Sequence, residues 1–118
     1  GRYMPRQVVN VPKPYLEKYF SFDGQMYQVC PEILDMVDFK NVDLFSSTAG
    51  TGYDVILCRN VVIYFTKDMQ ERLYMKFYKA LNPDGYFIMG NTETLVGEAT
   101  RHLTSIKSRE RVYQKIVT

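Results

Sequence analysis

At 118 residues, 46% of them hydrophobic and 24% charged, the chain has room for a modest globular core and does not have the composition of a disordered segment. A formal net charge of +2 is too small to point to nucleic acid, and no apolar run approaches the roughly 20 residues that span a bilayer. Cys30 and Cys58 form no close pair and His102 is the single histidine, so a disulfide scaffold, a zinc knot, a catalytic triad and a metal site are all disfavoured and a reducing, cytoplasmic setting is expected. Residues 1–11 read as irregular. Pro12-Lys13-Pro14 then opens a short helix over 14–20, because proline suits the first helical turn. Asp23-Gly24 between β-prone residues is a hairpin signal, with 26–30 as the return strand. Pro31 starts a second short helix over 31–36.

Beyond residue 36 the pattern changes. Residues 37–41 read as a strand and Ser46 to Gly52 as a polar loop. Within that loop, Ala49-Gly50-Thr51-Gly52 precedes a strand rather than opening a helix, so it reads as a loop and not as a phosphate- or cofactor-binding turn. Tyr53 to Cys58 is a nearly continuous apolar run, the pattern of a strand buried on both faces of a parallel sheet. Thr66 is placed to cap a helix whose Met69, Leu73, Phe77, Ala80 and Leu81 recur at helical spacing and face the sheet. Asn82-Pro83-Asp84-Gly85 stops it, and 86–89 is the next strand, giving a strand–helix–strand crossover. A helical turn is expected within 93–99, and 103–107 with 112–116 form a closing antiparallel hairpin. Lys107, Arg109, Arg111 and Lys115 read as a solvated face of that hairpin.

The stretch Cys58-Arg59-Asn60-Val61-Val62-Ile63-Tyr64-Phe65 is the most informative candidate for carrying chemistry. In open parallel sheets, ligands bind beyond the carboxyl ends of strands. Arg59 can clamp a carboxylate through two parallel charge-assisted bonds, or pair with a surface acid. Asn60 offers a donor and an acceptor, or caps a turn. Tyr64 can present its hydroxyl or its ring face to a ligand, or belong to the core.

This stretch, followed by Leu81-Asn82-Pro83-Asp84-Gly85-Tyr86-Phe87 and by Gly90-Asn91-Thr92-Glu93, closely resembles the chemotaxis receptor methyltransferases, the CheR family. Tyr19-Phe20, Tyr27-Gln28-Val29, Val42-Asp43-Leu44 and Arg111-Val112-Tyr113 fit the same pattern. The resemblance implies an α/β fold: a partial doubly wound, Rossmann-like class I methyltransferase sheet with a closing antiparallel hairpin. Residues 1–36 would be a small helix–hairpin accessory unit and residues 37–118 the C-terminal half of the methyltransferase domain. It further implies S-adenosylmethionine as cofactor, S-adenosylhomocysteine as product, and γ-methyl esterification of glutamate side chains in a methyl-accepting chemoreceptor. Asp43 and Leu44 would flank the adenine. Arg59 and Asn60 would lie around the cofactor and substrate pocket, with Tyr64 near the transferring methyl, and Arg59 and Tyr64 would be the catalytic residues. No metal, nucleic acid or membrane insertion is implied. Gly90-Asn91-Thr92-Glu93 departs from the family's usual Gly-His-Ser-Glu by a polar change. The hairpin around Asp23-Gly24 matches the subdomain through which some members dock a receptor tail, although its loop is short.

A complete domain of this type opens with a strand and a glycine-rich turn, and neither is visible. The chain is therefore expected to start after the first two strands and to bind cofactor weakly by itself. The strand at 53–58 would then have a bare edge, predicting a dimer or strand-exchanged assembly, or else pairing with 37–41. A methyltransferase of another carboxylate, or a degenerate module that binds a signalling partner, are the competing readings.

Overall fold

A computed structural model describes residues 1–46 and 50–116; of the expected polar loop, residues 47–49 lie outside the described residues. The chain forms two compact units, Gly1–Asn41 and Val42–Thr118.

The first unit is a three-stranded antiparallel sheet with two short helices. Its strands are β1 (Arg2–Tyr3), β2 (Phe20–Phe22) and β3 (Tyr27–Val29), in the order β1-β3-β2. The helices are α1 (Lys13–Tyr19) and α2 (Pro31–Leu34), each with proline in its first turn. Phe22 pairs with Tyr27, so the hairpin loop holds the four residues 23–26, with Gly24 at φ 100°. Asp23 builds that loop by accepting the N–H groups of Gln25 and Met26, each at 2.8 Å. These bonds, Met26's first, hold its carboxyl below the usual carboxylate range. The rings of Tyr3, Phe20, Tyr27 and Phe22 contact one another in series across the sheet. The segment expected to be irregular thus supplies a strand, β1, because Arg2 and Tyr3 find Gln28 and Tyr27 as ladder partners.

Residues 37–41 are not a strand, contrary to expectation. They run as irregular chain, with Val37 48% and Phe39 95% exposed. The β-prone residues there have no ladder to join, and burial of neighbouring side chains is what makes a strand stable.

The second unit is a four-stranded mixed sheet with one long helix. Its strands are β4 (Tyr53–Cys58), β5 (Leu81–Met89), β6 (Leu103–Lys107) and β7 (Val112–Lys115), in the order β4-β5-β7-β6. β4 and β5 are parallel, with Cys58 opposite Met89, and α3 (Lys67–Ala80) connects them. β7 lies antiparallel to both β5 and β6, which is the expected closing hairpin inserted back beside β5. The expected helical turn appears late, as a 3-10 turn at Gly97–Arg101. The strand order and the parallel crossover match the partial class I methyltransferase sheet that the resemblance implied.

Thr66 caps α3 by accepting the Met69 N–H at 3.3 Å. Leu73, Tyr74, Phe77 and Ala80 lie on one buried helical face, and the first three pack in one core with Phe87 and Met89 of β5. Burying a side chain such as Leu73 or Phe77 stabilises by about 1.5–3 kcal/mol. Tyr74 packs edge-on to Phe87, with ring centroids 5.9 Å apart. Its buried hydroxyl has no hydrogen-bond partner among the described residues, and burial raises its pKa.

β4 is covered on one face only. Ile56 is half-buried and Cys58 buried, whereas Val55 is 49% and Leu57 66% exposed. The apolar run promised burial on both faces. Within this unit α3 packs against one of them, and the residues that alternate away from it stay in solvent. β4 pairs with β5 alone among the described residues.

Burial, seconded by the Glu93 carboxylate, pushes the Cys58 thiol from 9.0 up to about 11. The fold favours the neutral thiol, so this contribution to stability is present below pH 9 and is lost as pH rises through 11. Iodoacetamide at pH 8 should therefore label Cys58 at least about ten-fold more slowly in the folded chain than in urea, since the thiolate is the nucleophile. Equal rates would contradict the burial.

Candidate functional site

β4 delivers its chain into a turn at the carboxyl edge of the sheet. Asn60 takes φ 62°, a left-handed conformation that asparagine tolerates better than most residues. A 3-10 turn, Val62–Tyr64, follows, anchored by Val62 at 2% exposure.

Two side chains hold the backbone of this turn. Glu93, which follows β5, is 3% exposed. Its Oε1 accepts the N–H groups of Asn60 at 2.9 Å and of Gly90 at 2.8 Å, and its Oε2 accepts that of Val62 at 3.1 Å. Gln70 on α3 donates from Nε2 to the carbonyls of Val62 at 3.0 Å and Phe65 at 3.1 Å. An acid thus takes the inward N–H groups and an amide serves the inward C=O groups. Removing the carboxylate would orphan three N–H donors, at about 1–3 kcal/mol for each that water cannot reach.

Gly90 makes this approach feasible. A Cβ built there would lie 2.5 Å from Asn60 Oδ1 and 2.7 Å from Glu93 Oε1, closer than packed atoms tolerate. The exits of β4 and β5 are therefore in direct contact. A cavity of about 240 Å³ lies beside them, with Val62, Gln70, Thr92 and Glu93 in its lining.

The sequence-derived residues fall around this turn. Arg59 and Asn60 are exposed at the exit of β4. Arg59 takes part in none of the ion pairs among the described residues. Tyr64 is 83% exposed, which excludes the alternative that it belongs to the core. Asp43 and Leu44 come from the segment that opens this unit. Phe45 packs edge-on against Phe65, with centroids 5.2 Å apart, and Arg72 lies 5.8 Å from the Phe45 ring centre. Lys76 donates to the Leu44 carbonyl. These contacts bring residues 43–45 alongside the end of the 59–65 turn. Asp43 accepts the Phe45 N–H at 2.9 Å, and that bond, with help from Ser46, holds its carboxyl below the usual range.

Chemically, the turn presents a guanidinium and a phenol from a fixed backbone, with the Asn60 carboxamide beside them and its Oδ1 over Gly90. That set can orient an anionic group by hydrogen bonding and charge. No group of three or more metal-ligating side chains is found among the described residues.

Sequence reasoning placed Glu93 in a motif but gave it no role. Its partners at Asn60 and Val62 lie 33 and 31 residues away, so periodicity carries no trace of them. The available signal was an acid closely following an apolar strand, where backbone N–H groups at the sheet end need acceptors.

Comparisons with known proteins agree with this architecture. The family model described as "CheR methyltransferase, SAM binding domain" matches residues 1–112. A "Chemotaxis protein methyltransferase" of Listeria innocua is 31% identical over 108 residues, covering 92% of this chain and 41% of that protein. A protein of the same description from Vibrio anguillarum is 38% identical over 76 residues, 64% of this chain and 27% of its own length. An uncharacterized 104.1 kDa protein of Rhodobacter capsulatus is 31% identical over 107 residues, 91% of this chain and 11% of its own length. The chain spans less than half the length of these curated relatives. With the family model matched over nearly all of its length, the chain belongs to the S-adenosylmethionine-binding domain family of the CheR methyltransferases.

Proposed function

We infer that the protein carrying this chain methylates glutamate side chains of chemoreceptors, using S-adenosylmethionine, in the cytoplasm. The observation that carries this reading is the turn after β4, where Arg59 and Asn60 stand exposed on a backbone fixed by Glu93 and Gln70. The relatives named chemotaxis protein methyltransferase support the substrate class.

The residues present fit such a cofactor. Asp43, exposed and held by the Phe45 N–H, offers a carboxylate acceptor to an adenine amino group. Leu44, half-buried against the core, offers an apolar surface to the ring. Asn60 offers a donor and an acceptor at the sheet edge. When bound, S-adenosylmethionine supplies an electrophilic methyl group on a cationic sulfonium. A glutamate carboxylate is already ionised near neutral pH, so this chain needs no strong base. Its task is to orient two reactants, which can contribute several kcal/mol to lowering a barrier. Arg59 is suited to clamping the substrate carboxylate and Tyr64 to lining the approach of the methyl group. Among the described residues no helix is long and apolar enough to cross a membrane.

Transfer of a labelled methyl group to receptor fragments, in a form released as methanol by mild base, tests the reading in the longest natural protein that contains the chain. Arg59→Ala and Tyr64→Phe should each lower kcat/KM at least ten-fold, about 1.4 kcal/mol. Base-stable label, or label on another carboxylate compound instead of the receptor, would contradict it.

The exposed edge of β4 supports a second element of the proposal. A bare parallel strand edge invites a further strand, and in this 118-residue chain a second copy can supply it. Sedimentation of the chain over a rising concentration series should show self-association, and Leu57→Lys should weaken it. A monomer throughout would contradict this.

A further inference from the structure

We propose that Glu93 is a positioning residue for the site: its buried carboxylate sets the backbone of the 59–62 turn and thereby the directions of Arg59 and Asn60. The proposal rests on the reading above, in which this turn meets cofactor and substrate.

Three observations converge. Glu93 is buried to 3% exposure and joins no ion pair among the described residues, so backbone N–H groups supply the compensation its carboxylate needs. Those N–H groups belong to Asn60, Val62 and Gly90, one strand exit and its neighbour. Asn60 is held at φ 62°, a sparsely populated conformation that persists where surroundings over-determine it. With its N–H turned inward to Glu93, Asn60 and its neighbour Arg59 remain exposed. Gln70 holds the far side of the same turn at Val62 and Phe65, leaving Glu93 to fix the near side. Gly90 has no room for a Cβ between Asn60 Oδ1 and the Glu93 carboxylate.

Glu93→Gln keeps the shape but turns an NH2 toward N–H donors. Gly90→Ala keeps the carboxylate's charge but crowds both it and Asn60, breaking the same contact from the β5 side. Both are made in the longest natural protein containing the chain, and S-adenosylhomocysteine affinity is measured by calorimetry alongside steady-state methylation and Tm. Each folded variant should raise the Kd for S-adenosylhomocysteine and the KM for S-adenosylmethionine at least ten-fold, while Glu93→Asp regains part of the loss. Should Glu93→Gln not fold, Gly90→Ala decides alone. A lowered Tm with unchanged Kd and KM makes Glu93 purely structural and overturns the proposal. If the unmutated protein binds no S-adenosylhomocysteine, the functional reading fails instead. Amide exchange then decides the positioning claim: Asn60 and Val62 should exchange at least ten-fold faster in Glu93→Gln with the α3 amides unchanged, and equal exchange overturns it.

Discussion

A buried carboxylate joins the two parallel strands of the larger unit at their carboxyl end, beside Arg59 and Asn60. Glu93 sits just beyond β5, yet two of its three N–H partners belong to the turn after β4. The ladder between β4 and β5 runs from Tyr53 opposite Leu81 to Cys58 opposite Met89, and Glu93 extends the connection past the last pair. Removing it would leave Asn60 in a left-handed conformation with nothing to hold its amide, and the close packing over Gly90 would lose its purpose. The helical side contributes Gln70, whose position follows from the Thr66 cap and from the burial of Leu73, Tyr74 and Phe77. A stable hydrophobic layer and a small polar clamp together therefore fix an exposed turn.

The chemistry follows from where each group points its atoms. The polar backbone of the turn is spent inward, on Glu93 and Gln70, so Arg59, Asn60 and Tyr64 face solvent from a backbone already fixed. The proposed methyl transfer to an ionised carboxylate calls for orientation more than for proton transfer, and pre-fixed groups are what orientation requires. The ring contact between Phe45 and Phe65 brings Asp43 and Leu44 to the same turn from a distant part of the sequence. The proposed site lies at this end of the sheet, in a chain that belongs to the CheR methyltransferase family.

Local signals made much of the second unit legible. Thr66 ahead of Met69, and Leu73, Phe77 and Ala80 at helical spacing, announce α3 and its buried face, because capping and amphipathicity are properties of neighbouring residues. Tyr53–Cys58 and the terminal hairpin were equally plain. Features that depend on distant partners were not. β1 is two residues long and exists because β3 is beside it. Residues 37–41 have β-prone side chains but no partner, and stay irregular. Val55 and Leu57 look like core residues, and only the arrangement of layers leaves them exposed. At the site, Arg59, Asn60 and Tyr64 could be named from a contiguous motif, whereas the role of Glu93 depends on amides more than thirty residues away.

An amide correlation spectrum of the 15N-labelled protein, titrated with S-adenosylhomocysteine, tests whether the Glu93-held turn is where the cofactor is met. Saturable shifts are expected at Asn60, Val62 and Gly90 and in residues 43–45, with the amides of Asp23–Met26 unmoved. Saturable binding that leaves Asn60, Val62 and Gly90 unshifted, with the changes elsewhere, would contradict it.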